Sequence, residues 1–515
     1  MKKIISNILS IAALSFIMPS CSEDIMDDIN KDSDHTRDVP AKFILSDVLT
    51  ATAFYNTGGD MNTYTAAYVE HEVGVHNQLF RAEHREGEPS SATTLNNVWE
   101  NLYTALKNAK LVISKSEAAD NMVTKGIGEI MAAYNAALLT DMFGDVPFSE
   151  ATLTKEDGTP LHMSPKIDKQ QDIYAAIFEY LDQAISDLQG VDAEDPVRDY
   201  DFVYRGDASK WLKLAYGLKA RYTMRLINRS QGISADMEKV LDYVSKSFAS
   251  AGEQAAFAVY DASQLNPLFD FQWSRDALAA SQSMADKLAE RNDPRIRRSF
   301  VNADWEQLTG VDDKTWFPAP NGESEQVQYY YNTSAFVYSQ TAPTLFLSYH
   351  EILFLKAEAL CRLNRIEEAG EVLKEAVIAA IANNEVNVNA AMTAPTILDY
   401  GGLAETTEAV TPDEAAEYFD TGVKPLFTAD PLKETMIQKY IAFFGASGES
   451  PECYNDIRRL LGQGVSYVTL INPNRFPLRC PYGNSDTTTN PAVQEAYGNG
   501  QYVYTEPVWW AGGER

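Results

Sequence analysis

Between Trp316 and Tyr338 the chain places seven aromatic residues in 23 positions: Trp316, Phe317, Tyr329, Tyr330, Tyr331, Phe336 and Tyr338. That is about 30%, against 11% for the whole chain. Asn321, Gln326, Gln328, Asn332 and Gln340 are interleaved with them, and Trp273 lies just upstream in Phe271-Gln272-Trp273-Ser274-Arg275-Asp276. Aromatic planes stack on the apolar C–H faces of pyranose rings, and side-chain amides pair with sugar hydroxyls, so this mixture suits a saccharide. The candidate ligand contacts are Trp273, Trp316, Phe317, Tyr329, Tyr330, Asn332 and Tyr338. A second segment, Asn56–Glu88, adds Tyr64, Tyr68, His76, Asn77, Gln78 and Phe80, with Asn77 as its candidate contact. The competing reading packs these rings into the core or against a partner.

Other chemistry finds little support. There is no glycine-rich phosphate loop, no GxSxG elbow and no HExxH pair. His71 and His76 are five positions apart, which does not bring them together on a helix as a zinc pair needs. No EF-hand spacing supports calcium. Carboxylates are abundant, so chance proximity of two of them says nothing about glycosidase chemistry. The reading therefore names no catalytic residue, no metal site and no cofactor.

The 515 residues (57.2 kDa) include 43 Lys+Arg and 73 Asp+Glu, a formal charge of -30. Such a surface repels phosphate backbones and excludes nucleic acid as a partner. With 45% apolar residues, the chain has ample material for a large core.

The elements that must hold these residues read as amphipathic helices. Phe346, Tyr349, Leu353, Ala357 and Leu360 follow gaps of 3, 4, 4 and 3, and Ile366, Ala369, Leu373, Ala376 and Ala380 resume the stripe after Leu363-Asn364-Arg365. This is an αα-hairpin of the tetratricopeptide kind, spanning about 343–382. Similar pairs are predicted at about 95–143 and 170–228, with a further helix at about 432–444. None of these pairs buries its apolar face alone, so neighbours must stack. Residues 261–343 and 445–515 lack a sustained period and read as long irregular loops with a few short strands. Nothing resembling a Gly/Ser linker divides 40–515, which is expected to be a single domain. Glu351 and Glu358 share one helical face beside apolar neighbours. Buried there they need cations, and Arg221, Arg225, Arg458 and Arg459 are the candidates.

The N-terminus reads as an address. Met1-Lys2-Lys3 and the apolar run Ile4–Met18 form a secretory signal over residues 1–20, shorter than the roughly 20 apolar residues of a spanning helix. Met18-Pro19-Ser20-Cys21 resembles a lipobox, in which Cys21 is acylated and becomes the mature N-terminus. Several acyl chains, at about 0.8 kcal/mol per buried methylene, anchor a protein durably. Residues 21–39 are too acidic and polar to pack and read as a tether. They also resemble the export tag of Bacteroidetes surface lipoproteins, which implies the outer face of the cell outer membrane. Of the other three cysteines at least one is free, Cys361 sits on an apolar stripe, and a Cys453–Cys480 bridge stays open.

Five pieces in order resemble the SusD/RagB family. They are Trp99-Glu100-Asn101-Leu102-Tyr103, the stretch Leu139–Phe148 (LTDMFGDVPF), Trp211–Leu226, Tyr349–Ala359, and Tyr454–Arg459 with Asn474-Arg475-Phe476-Pro477. Tyr454 departs from a common Trp, and Leu478 from the usual Tyr-Pro continuation, which suggests a divergent branch. The resemblance implies a mostly α, SusD-like fold of stacked tetratricopeptide-like hairpins with long irregular loops and a few short strands. It also implies a non-catalytic lipoprotein that captures an oligosaccharide and passes it to a SusC-like TonB-dependent transporter. The alternatives are peptide binding on the same scaffold, as in RagB-like members, and a surface glycoside hydrolase. Within LTDMFGD, Gly144 is expected to cap a helix ending at Phe143, an architectural role.

Overall fold

The apolar stripes close on one another as antiparallel helices. The structure, a computed structural model, describes residues 39–85, 90–91, 95–155 and 159–515. The signal at 1–20, Cys21 and the tether up to residue 38 lie outside the described residues, as does Glu88. Residues 41–515 form one compact unit.

Helices Asn96–Ala118, Met122–Phe143, Gln170–Asp187, Ala208–Arg225, Ile233–Ser245, Tyr349–Arg362 and Ile366–Met392 each pack on the next in that order. Met122–Phe143 is buried on every side from Gly126 onward, because helices cover it all round. A side chain at Gly128 would put its Cβ 2.9 Å from Val112 Cγ1, so glycine is what lets the first two helices approach. Gly144 ends the helix at φ +83°, its N–H donating to Thr140 O at 2.8 Å, which is the cap expected from the sequence. The second helix of the late pair continues to Met392, past the predicted end near 382. Asn387 is buried there, its Nδ2 donating to Ser447 Oγ at 3.2 Å, so a tertiary partner replaces the water that amide would seek.

Ion pairs bind the stack internally. Arg221 holds Glu351 through two bonds of 2.8 and 2.5 Å, and Arg459 holds Glu358 through bonds of 2.6 and 2.8 Å. Arg225 bonds Glu452 and lies 3.6 Å from Asp141, whose other oxygen accepts from Tyr174 Oη at 2.5 Å. Glu351, Glu358 and Asp141, carboxylates of the family-like motifs, are thus engaged within the frame. Cys361, Cys453 and Cys480 are all free thiols.

Four two-stranded antiparallel ribbons occur among the described residues. One matters most for the site: Glu72–Gly74 pairs with Leu278–Ala280, with Glu72 opposite Ala280 and Gly74 opposite Leu278. It ties the 56–85 segment to the aromatic-rich 261–343 region. From it the chain runs to Asn77–His84 on one side, while helix Pro267–Arg275 leads into it on the other.

Candidate ligand-binding site

Helix Pro267–Arg275 starts with Asn266, whose side chain accepts from Leu268 N, followed by proline at the first turn. It stops at Asp276, which adopts φ +43°. The Asp276 carboxylate then accepts from Gln272 Nε2 at 2.9 Å and from the Tyr329 backbone N–H at 2.5 Å. Burial raises its pKa, with the Tyr329 N–H working the other way. Since each Asp276 oxygen is engaged by a protein donor, the group serves as a clamp for the aromatic loop. Gln328 Nε2 adds a bond of 2.5 Å to Arg275 O. Further along, Ala280 N donates to Asn332 O and Ala319 N to Ala280 O, each at 2.8 Å, so both ends of the loop are laid against the central ribbon.

The loop presents its rings outward. Phe317 stacks on Tyr331 at 5.2 Å and 25°, and Tyr330 meets both edge-on at 5.2 and 4.8 Å. Phe317 is 46% exposed, Tyr330 47% and Tyr329 83%. Trp273 (38% exposed) stacks on Phe269 at 5.8 Å and 9° and meets Tyr400 edge-on at 5.4 Å.

Beside the helix lies a cleft with two adjoining lobes of about 710 and 600 Å³, which share Asp60, Asn97, Phe271 and Arg275. The first lobe is walled by Tyr64, His76, Asn77, Gln78, Arg81 and Gln328. The second reaches Tyr55, Glu100, Asn101, Gln264 and Asp270. Asn77, Asp276 and Tyr329 all hold positive φ, at +48°, +43° and +54°, and such strained residues gather where a site's geometry is imposed by its surroundings. The arrangement can do what sugar recognition requires: stack on ring faces, offer amides and guanidiniums to oxygens, and hold both on a braced frame.

A family profile described as SusD-like, starch-binding associating with outer membrane, matches residues 34–460. The chain belongs to the SusD-like family. A crystal structure of a SusD/RagB family protein from Bacteroides thetaiotaomicron is 53% identical, covering 93% of this chain and 100% of its own, with a TM-score of 0.87. A chitin-binding protein is 22% identical over 91% of this chain and 99% of its own, with a TM-score of 0.69. A SusD homolog from Bacteroides fragilis is 18% identical over 93% and 100%, at 0.68. The last two show the shared fold alone. Among curated proteins no match is found.

In this SusD-like protein the sequence-predicted contacts divide in two. Trp273, Phe317, Tyr329 and Tyr330 are exposed, and Asn77 lines the cleft. Trp316, Asn332 and Tyr338 are tied into the frame, and Tyr338 shares a small recess with Tyr329 and Tyr330. Trp316 is half-buried with its ring edge-on to Phe300 at 5.3 Å. Asn332 is buried, its amide accepting from Phe317 N and donating to Thr315 O at 3.2 Å, because the loop needs those backbone groups satisfied. Tyr338 is buried against Trp305, its hydroxyl bonded to Thr333 Oγ1 at 3.3 Å. Asn321 and Gln340 are likewise buried and bonded within the frame. Of the second segment, Tyr64, His76, Asn77 and Gln78 face the cleft, whereas Tyr68 packs in the core on Tyr454. Sequence reasoning missed Tyr400, Arg81 and Arg275. Tyr400 is 70% exposed and precedes Gly401-Gly402, both at positive φ, so an aromatic beside a Gly-Gly turn was the available signal. The arginines carried none.

Proposed function

We propose that this SusD-like protein binds an oligosaccharide outside the cell without altering it and hands it to a SusC-like TonB-dependent transporter in the outer membrane. The observation that carries the reading is the exposed set Trp273, Tyr400, Phe317, Tyr329 and Tyr330, of which all but Tyr400 sit on the helix and braced loop that also supply Arg275 and Gln328 to the polar cleft. Isolated apolar residues are normal on a surface, but five large rings in two ordered patches are not. The family's description, starch-binding associating with outer membrane, supports a saccharide as the cargo class. The Met18–Cys21 lipobox resemblance supports anchoring through an acylated Cys21 at the cell surface. No helix among the described residues is long and apolar enough to cross a membrane.

Affinity electrophoresis of the purified chain lacking residues 1–21 tests the reading. Soluble polysaccharides incorporated in the gel retard the protein, Trp273→Ala weakens the retardation at unchanged melting temperature, and no reducing sugar is released. Retardation by none of them, or release of product, refutes it. Anchoring is read separately, by fatty-acid labelling that Cys21→Ala abolishes, and delivery by co-purification with an outer-membrane barrel.

A further inference from the structure

The charged lining of the cleft is uneven: Arg81 belongs to the first lobe alone and Glu100 and Asp270 to the second alone, while Arg275 and Asp60 border both. Arg81, Arg275 and His76 line the first lobe, with Asp60 as its carboxylate. Glu100 and Asp270 lie in the second lobe. Asp60 is held by Asn97, whose Nδ2 donates to Oδ2 at 3.3 Å.

The two guanidiniums are solvent-exposed side chains on the cleft wall of a protein with 73 acidic residues against 43 basic ones. Among the described residues neither has a carboxylate within 4.0 Å, and Arg81 has no side-chain hydrogen bond. Arg275 touches only its neighbour Ser274 Oγ, at 2.7 Å, and stacks over Phe271 at 5.0 Å. Compare Arg221, Arg295 and Arg459, which are buried and fully engaged by carboxylates. Both guanidiniums line the same lobe as the Tyr64 phenol. The Asn77 amide, whose Nδ2 lies 2.8 Å from His76 Nε2, adds polar atoms to the same wall. At physiological ionic strength the field of the distant acidic surface is screened beyond about 8 Å, so these local donors decide what the lobe accepts.

We infer that the Arg81–Arg275–His76 lobe binds an acidic saccharide unit, a uronate carboxylate or a sulfate ester carried on the oligosaccharide, while the Glu100–Asp270 lobe takes uncharged sugar. A guanidinium is the donor that matches a carboxylate or sulfate with two parallel bonds. This assignment rests on the saccharide reading above and adds the charge of the cargo.

The experiment applies the purified chain to a glycan array of matched pairs: uronate oligosaccharides beside their carboxyl-reduced forms, and sulfated oligosaccharides beside their desulfated forms. Acidic members are expected to bind at least about tenfold more tightly than their neutral partners, the effect of one or two charge-assisted bonds. In Arg81→Gln and Arg275→Gln that preference falls about tenfold each, and thermal melts confirm an intact fold. The carboxyl and sulfate pairs show which anion is used. Equal binding within every pair, or a preference untouched by both substitutions, overturns the charge assignment and leaves saccharide binding standing. Retention of no saccharide overturns both.

Discussion

Tyr329→Gly separates binding from folding more cleanly than any other substitution in the site. Tyr329 holds φ +54°, a conformation that costs a residue with a Cβ roughly 1 kcal/mol and glycine almost nothing. Glycine also gives the unfolded chain extra freedom, worth about 0.5–1 kcal/mol in the opposite direction. The net change in stability is therefore within about 1 kcal/mol, or a melting shift of about 2 °C. The anchoring bond from the Tyr329 N–H to Asp276 is a backbone bond and survives. The ring does not. With 83% of the residue open and a tyrosine offering about 200 Å² of surface, roughly 165 Å² is available to a ligand. If a sugar face covers about half of that, about 2 kcal/mol of affinity is lost at ~25 cal/mol per Å², close to thirtyfold. Calorimetric titration with a saccharide that retards the native chain, beside thermal unfolding, measures the two effects. Tyr329→Ala is expected to lose the same affinity while melting below Tyr329→Gly, because alanine keeps the strain. Unchanged affinity in both variants, or a melting temperature that drops in step with affinity, refutes the assignment of this ring to the ligand face.

Three further outcomes follow from groups away from the cleft. Glu72 is buried with one oxygen bonded to Ser334 Oγ and the other unpartnered, and burial pushes its pKa up from 4.5 to about 8. Its contribution to stability is full below pH 4.5 and is lost as pH rises toward 8, at up to about 1.4 kcal/mol per unit, so Glu72→Gln flattens the decline of chemical-denaturation stability across that window. Arg459→Ala leaves Glu358 buried without its main cation and is expected to cost about 3–5 kcal/mol in urea unfolding, whereas Arg459→Lys recovers part of that. Burial raises the thiol pKa values of Cys361 to about 11 and Cys480 to about 12, and raises that of Cys453 as well. Ellman's reagent should therefore titrate almost no thiol in the native chain from residue 22 onward, and three after unfolding without reductant. Only one after unfolding would reveal a Cys453–Cys480 bridge.

Much of the scaffold was legible because its code is local. From Tyr349 to Ala380 the stripe has helical spacing and helices stand there, whereas Phe346, its first predicted member, lies in strand Thr344–Leu347; Gly144 caps where a residue with positive φ was needed. The partners of Glu351 and Glu358 were narrowed to four arginines by charge alone, and Arg221 and Arg459 hold them. The end predicted near residue 382 fell short for the opposite reason: Asn387 finds its partner Ser447 only in the folded state, and the helix continues to Met392.

Residue types along the chain determined that this protein is a stack of amphipathic helices with one ring-rich crossing segment, since periodicity and composition are properties of neighbours in sequence. Which rings reach water was decided by the tertiary structure. Trp316 and Phe317 are adjacent, yet one leans on Phe300 and the other faces solvent, because hydrogen bonds to Ala280, Asn332 and Asp276 set the loop's orientation. Arg81, Arg275 and Tyr400 come from three distant stretches, and Arg81 meets Arg275 at one cleft only through the pairing of Glu72–Gly74 with Leu278–Ala280. A long-range pairing of that kind depends on burial and register across some two hundred residues, which no local pattern encodes.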